Sequence, residues 1–561
     1  MTRREPAPRA GHRILWTDGL LSVFLAVLAL FLALPRTMLG GLRRVPGDCG
    51  DNRLNHFLLE HTWGWLTGEP RHEVLWDLPI FFPVGENSYA YTDFLLTFAP
   101  PYWLYRALGA SPDSAHWGWL VTMLGLNFAV AFLLLRRAVG VGRLPAALGA
   151  YLIAFPISRL NQIGHSQLMP MFFVLVGIWA VLRYGQNLVR AQETGDDRVR
   201  RRAIGVMALA TVAQLYGAFY TGAFWLLSLA VLTLCALTMG AFRRPLLQSL
   251  RRDVGYLLAG AAASALLLVP WMRHYLAAAS EVGYRSWDAI AGYIPRPISW
   301  IFVSPFSDIY GWMIEAPPFS WLGAPLEQAI GIGFVTTLVT LAIYWRSRHL
   351  PAMQLLAVTG VVLVLSTTLF FGHKASIWRV LFEVVPGVSA MRAVSRIGMF
   401  ILPLLAAFAI AWLVDRVRGR ERLAVFAIAL LCCLEQKGTA LTSDALREGE
   451  MVDSIVARIN PEVEAFYLTQ NGGHAPNWLL HIDAMWAGER AGIPSVNGYS
   501  GQIPPDWPDD LWPAKTDRRW IRRHVRWTLT QWLAEHGQDP SKVQFLQLEP
   551  GYRSDGGAIC R

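Results

Sequence analysis

The sequence predicts a mainly α fold: a polytopic transmembrane helical bundle of about eleven helices with a small extramembrane α/β domain at its C-terminal end. Three observations predict it. Hydrophobic residues make up 54% of the 561 and charged residues only 16%, where soluble chains carry about a quarter charged. The apolar residues come in blocks of roughly 18 to 22, the length of helix that crosses about 30 Å of hydrocarbon. The arginines gather in short connections between those blocks.

In chain order, Arg3, Arg4, Arg9 and Arg13 precede a first block at 17–38. No small-residue cleavage site follows it, so it reads as a membrane helix and not a signal peptide. Further blocks fall at 117–135, 144–157, 166–182, 203–218, 221–241, 254–272, 325–345, 351–371, 397–414 and 422–436. Those at 144–157 and 422–436 are short, which predicts tilt or burial inside the bundle. With the N-terminus inside, the cytoplasmic connections hold Arg136, Arg137 and Arg143, then Arg183 to Arg202, Arg243 to Arg252, Arg346 and Arg348, and Arg416 to Arg422. The alternate connections are poor in arginine, so the positive-inside rule sets the topology. It predicts a multi-pass protein of the bacterial inner membrane, N-terminus cytoplasmic and C-terminus extracytoplasmic. Residues 1–437 form the membrane domain, with long outer segments at 39–116, 273–324 and 372–396. Residues 438–561 form the outer domain, its core drawn from Ile455, Val456, Ile459, Val463, Phe466 and Tyr467.

Composition and motifs remove several function classes. The net charge of +10 comes from connecting loops, not from a basic face on a soluble domain, so no nucleic-acid partner is expected. No P-loop, G-x-S-x-G elbow or H-E-x-x-H is present. Ionisable residues are nearly missing from mid-membrane positions, against a proton-coupled transporter. Of five cysteines, none has C-x-x-C spacing; Cys235, Cys432 and Cys433 read as packed residues, and Cys49 and Cys560, both outer, as a conceivable disulfide.

The chemistry-bearing residues cluster in the outer segments. Asp48 and Asp51 follow the first block at the membrane–water interface, with Asn55, Glu60, His61 and Asp93 further along. Asp51 is either the cap of a helix that starts there or a reactive carboxylate; the two roles are compatible. Glycosyl transfer from a phosphate-linked donor needs a base for the acceptor hydroxyl and cations for the leaving phosphate. A carboxylate suits the first role and the guanidinium fork the second. Arg392 and Arg396, at i and i+4 before a block, are expected to point one way at headgroup level. Arg159 and His165, with Asn161, Gln162 and Gln167, sit on a short polar turn that must line a cavity to be tolerated near lipid. In the tail, Tyr499 and Trp507 either stack on a sugar face or cap the tail's own core.

The first outer segment, with Gly47-Asp48-x-x-Asp51 soon after the first membrane helix, resembles the GT-C superfamily of integral membrane glycosyltransferases. More narrowly, Gly50 to Leu54, Leu59 to His61, Pro79 to Pro83, Met391 to Ala393, Asp483 to Ala487 and Asn497 to Gly501 are similar to a group of bacterial membrane proteins with no established activity. The GT-C resemblance implies a hexosyl- or pentosyltransferase. Its donor would be a polyprenyl-phosphate-linked sugar and its acceptor an envelope glycan or lipid, met among membrane lipids on the outer face. On that reading Asp51, supported by Asp48, is the catalytic carboxylate, and Asn55, Glu60, His61, Asp93, Arg159, His165, Arg392 and Arg396 bind substrate. The resemblance leaves a divalent metal open as cofactor, with Glu281, Asp288, Asp308 and Glu315 as available acids. The alternative is a non-catalytic protein that binds or translocates a glycolipid on a GT-C-like frame.

Overall fold

The computed structural model describes residues 11–188, 197–371, 375–385, 387–470, 475–512, 521–549 and 552. Each of the eleven apolar blocks contains helix, although 325–345 is interrupted between Gln328 and Phe334 and 351–371 leaves the helix after Ser366. Among the described residues, five helices are long and apolar enough to cross a membrane: Pro112–Val139, Ser166–Gln186, Phe219–Thr238, Gly240–Val282 and Val394–Arg416. A sixth is added if Thr17–Ala33 and Pro35–Arg44, bent by 94° at Leu34, count as one span. The expected eleven spans are therefore not what helix length supports. Arg143–Ala154, Phe334–Arg346, Pro351–Ser366 and Glu421–Leu434 have 12, 13, 16 and 14 residues, about 18 to 24 Å at 1.5 Å per residue. Arg198–Gly217 is longer, but opens on four arginines in its first five residues.

Close helix approach follows from small residues. Arg143–Ala154 crosses Gly398–Arg416 at Gly149, where a Cβ would fall 3.2 Å from Ala411 Cβ and 3.3 Å from the Ala407 carbonyl oxygen. Without it the two backbones meet, as membrane helices do at small-residue seams. One end of the bundle is tied by charge. Buried Asp18 pairs with Arg137 at 2.8 Å, Arg143 at 3.1 Å and Arg136 at 3.5 Å. On two further helices, Arg200 of Arg198–Gly217 meets Asp253 of Gly240–Val282 at 2.8 Å. At the opposite end lie the segments that were expected outside.

Those segments are largely built structure. Asp51–Thr67 is a helix of 17 residues, and Gly240–Val282 runs for 43 residues, well past the block at 254–272 and into what was read as a loop. The tail holds helices Ala445–Val456 and Asn477–Ala491 and a two-stranded parallel sheet, β3 (Ala465–Gln470) with β4 (Val543–Leu548), in register from Ala465–Val543 to Gln470–Leu548. A second, antiparallel pair joins Val45–Pro46 (β1) to Thr442–Ser443 (β2). Hydrophobic packing crosses the same boundary: Leu58, Phe81, Phe98 and Trp119 share one core with Ile455, Phe466, Tyr467 and Ile482. Arg53 locks the two parts further, with Asp483 at 2.7 Å and Glu448 at 2.8 Å, all three side chains nearly buried. Cys49 is disulfide-bonded; Cys560, its expected partner, lies outside the described residues.

Candidate functional site

The helix Asp51–Thr67 begins one residue after Gly50, and the capping is done by Asp48. Its Oδ1 accepts the N–H of Gly50 at 3.0 Å and of Asn52 at 3.1 Å, the service a cap residue gives to a first turn. Asp51 is therefore not the cap. It stands in the first turn, where the helix dipole favours a negative charge, with both oxygens turned outward. Tyr499 donates its hydroxyl to Asp51 Oδ1 at 2.6 Å, and His165 Nε2 lies 3.1 Å from Oδ2. The same His165 nitrogen is 3.9 Å from Glu327 Oε1. Glu327 in turn receives Arg396 as a fork, Nε to Oε2 at 3.1 Å and Nη2 to Oε1 at 2.6 Å. Five segments far apart in sequence thus meet in one chain of groups: Tyr499, Asp51, His165, Glu327, Arg396.

The polar turn of residues 157–168 holds this chain in register. Asn161 and Gln162 donate to the Leu326 carbonyl at 2.6 and 3.1 Å, which fixes the short helix carrying Glu327. Asn55 donates to Gln167 Oε1 at 2.7 Å and to the Asp51 carbonyl at 2.7 Å, which fixes the turn against the Asp51 helix. Gly164 packs on Asp48, since a Cβ there would stand 2.7 Å from Asp48 Oδ2. Asp93 closes the periphery by accepting the N–H of Phe219 at 2.7 Å. The site stays reachable: Asp51 and His165 keep side-chain exposures of 29% and 24%, while Glu327 and Arg396 are buried.

Electrostatics separate the two aspartates. Burial and the negative charge of Asp51 push the Asp48 carboxyl up to about 6, against the pull of its two backbone donors. Burial would raise Asp51 too, but the charge and hydrogen bond of His165, the Tyr499 hydroxyl and the charge of Arg396 outweigh it. Asp51 is held well below the ordinary carboxylate range. It is the more readily ionised of the two, and holds its charge to lower pH than Asp48.

Several expected residues sit elsewhere or act otherwise. Arg159 is wholly buried and spends its guanidinium on the Leu168, Met169 and Met399 carbonyls at 3.2 to 3.3 Å, so it braces the turn. Glu60 is nine residues along the helix from Asp51, about 13 Å at 1.5 Å per residue, and is held by Tyr102 and by Arg106 at 2.9 Å. His61 points to His72 and the Leu75 carbonyl. Arg392 and Arg396 do not share a helix face, because Arg392 lies before the helical segment that starts at Val394. Arg392 is exposed over the Tyr293 ring, 5.1 Å from its centroid, and Arg396 is buried over Tyr220 at 5.1 Å. Trp507 is core, donating to the Val496 carbonyl at 3.0 Å, so of the two tail aromatics only Tyr499 reaches the site.

Sequence reasoning missed Glu327, Tyr220, Tyr293 and Arg285. Arg285 lies beside Arg392: burial and that positive charge lower its guanidinium while Tyr220 pulls it up, and its Nε is buried without a hydrogen-bond partner. Two arginines near one another with an unmet donor make an anion-favouring corner on the Tyr499 side of this chain, where Arg285 donates to the Gly501 carbonyl at 3.3 Å and the charge of Arg392 acts on the Tyr499 hydroxyl. Asp51, His165 and Glu327 do not bring three ligand atoms within 4.8 Å of one another, nor do Glu281, Asp288, Asp308 and Glu315.

Residues 76–436, more than half of the chain, match the family described as Domain of unknown function (DUF6311). The chain belongs to the DUF6311 family. Solved structures similar to this DUF6311 protein include the arabinofuranosyltransferase AftD from Mycobacteria, at 14% identity and a TM-score of 0.47, covering 89% of this chain and 32% of that one. The archaeal oligosaccharyltransferase AglB from Archaeoglobus fulgidus is similar at 12% identity and TM-score 0.41, over 87% of this chain and 65% of that one. ArnT from Cupriavidus metallidurans is similar at 12% identity and TM-score 0.43, over 86% of each chain. The chain thus spans about a third of the length of AftD and just under two thirds of AglB. No curated protein matches the DUF6311 chain in sequence.

Proposed function

We propose that this protein is a membrane glycosyltransferase that moves a sugar from a polyprenyl-phosphate carrier to a glycan or lipid hydroxyl on the outer face of the membrane. The observation that carries the reading is the ionised, partly exposed Asp51, aimed by His165 and Tyr499, with the Arg285–Arg392 corner on the Tyr499 side. In the step proposed, the acceptor O–H gives its proton to the Asp51 carboxylate as its oxygen bonds to the sugar's anomeric carbon. The bond from that carbon to the carrier phosphate breaks, and its electron pair leaves on the phosphate oxygen. Arg392 and Arg285 take up the charge that develops there. Arg396, already forked to Glu327, holds the acid that faces His165 and does not itself receive the phosphate.

This division of roles differs from the residue set the sequence suggests. Asp48 supports Asp51 by capping its helix, Asn55 and Asp93 position the walls, and Arg159 braces them. The opposing reading, a glycolipid binder without catalysis, predicts that Asp51 serves only as a hydrogen-bond acceptor. A deletion strain complemented with wild type or Asp51→Asn, at matched membrane expression, separates the two. Envelope lipids and glycans are compared by mass spectrometry. Wild type is expected to restore a species heavier by one hexose or pentose, and Asp51→Asn to lower its rate of appearance by about 10²-fold or more, the scale of a lost general base. Equal restoration by both would remove Asp51 from the chemistry and leave the binder.

A further inference from the structure

Away from this site, at the other end of the Asp51–Thr67 helix, a second polar cluster has no part in the reading above. Glu69 and His72 follow the helix, and Glu489 faces them from the tail helix Asn477–Ala491. One atom from each lies within 4.8 Å of the others, and among the described residues no other group of three His, Cys, Asp or Glu does so. We propose that Glu69, His72 and Glu489 bind a divalent transition-metal ion with the ligand preferences of zinc, clamping the first outer segment to the tail.

The hydrogen bonds fix which nitrogen of His72 is available. His61 Nε2 is 3.0 Å from the Leu75 carbonyl oxygen, which only accepts, so that nitrogen carries the proton. In the neutral ring His61 Nδ1 is then a lone pair, and His72 Nδ1, 2.8 Å away, donates to it. His72 Nε2 is left as a lone pair, 3.2 Å from Glu489 Oε1 and 3.9 Å from Glu69 Oε2. A lone pair facing two carboxylates is a ready place for a cation to bridge them. Ligands about 2.1 Å from a tetrahedral zinc stand about 3.4 Å apart, which these separations match. Histidine ligands in metal sites donate their other nitrogen to a neighbouring acceptor, the part His61 plays here.

Two independent features mark a built site. Glu489 Oε2 is buried without a hydrogen-bond partner, on a side chain only 9% exposed. The His72 ring is wholly buried and seated on the helix at Gly64, where a Cβ would fall 2.2 Å from its Cδ2. Arg71, 3.8 Å from Glu489 Oε1, offsets one of the two carboxylate charges and leaves the acids net negative, favourable for a dication. A proton on His72 Nε2 in place of the ion would make an imidazolium–carboxylate pair, and measurement separates the two.

The test uses the full-length protein in detergent, stripped with chelator and re-equilibrated with zinc chloride. Metal content is read by mass spectrometry and unfolding by thermal melting with and without zinc. The expected result is about one zinc per chain and a raised melting midpoint, with both lost in His72→Gln and in Glu69→Gln. Glu69 is 41% exposed, so its glutamine variant keeps the fold while removing a ligand. A zinc content below about a tenth per chain, or the same content and midpoint shift in wild type and both variants, would overturn the assignment in favour of the protonated pair. Neither result bears on Asp51.

Discussion

Asp48 and Asp51 are three residues apart and have been given opposite protonation preferences, which makes their joint behaviour measurable. Asp48 titrates at 3.8 unfolded and about 6 in the fold. A carboxyl raised in this way stabilises the fold fully below pH 3.8, and that contribution is lost as pH rises through about 6. Asp48→Asn keeps an Oδ1 acceptor for the Gly50 and Asn52 N–H groups but carries no charge next to Asp51. It is expected to melt above wild type at pH 7.5 and to match it near pH 4, as thermal unfolding in detergent at both values would register; a variant that melts lower at pH 7.5 would refute the account. The two carboxylates were legible in the sequence because they follow a membrane block within one short stretch. Glu327 was not, because it heads an apolar block, where an acid reads as the edge of a span. No spacing rule links positions 51, 165, 327 and 396.

The Asp51–Thr67 helix carries a site at each end. At its far end the consequence is steric. Gly64→Ala places a methyl group 2.2 Å from where His72 Cδ2 sits. Overpacking of this kind costs about 1 to 3 kcal/mol, more than the up to ~1 kcal/mol of helix propensity that alanine returns. The melting midpoint should therefore fall, although an exposed glycine in mid-helix would show the reverse; unchanged or raised melting would mean that His72 is not seated as described. The eleven blocks were readable as apolar runs of membrane length; this helix was not, since it is buried on nearly every side and carries no one-sided apolar stripe. The continuity of Gly240–Val282 was not: Arg243, Arg244, Pro245 and Pro270 along it are the residues from which a reader infers loops and breaks.

For the molecule as a whole, the tail and the first outer segment are one folded body. Phe466 and Tyr467 were recognisable as core residues, but their partners Phe81 and Phe98 lie hundreds of residues away, and one chain's pattern does not encode which buried faces meet. Truncation after Lys437 would uncover that core and leave Arg53 without Asp483 and Glu448. Loss of both partners from a buried charge costs about 3 to 5 kcal/mol, so the truncated protein should aggregate on size-exclusion chromatography, and a monodisperse product would show the membrane part to be self-sufficient. The same body is gripped by the far end of the 43-residue helix: His274 stacks on Trp76, Tyr275 donates to the Thr92 carbonyl, and Glu281 accepts from Tyr91. That helix is about 65 Å long at 1.5 Å per residue, twice the thickness of the hydrocarbon it crosses. It acts as a depth gauge: its foot lies in the bilayer, its upper half holds the backbone beside Asp93, and Gln167 links Asp93 to Asn55 of the Asp51 helix. On the proposed function, that strut sets the height above the lipid at which the carrier's phosphate would meet Asp51.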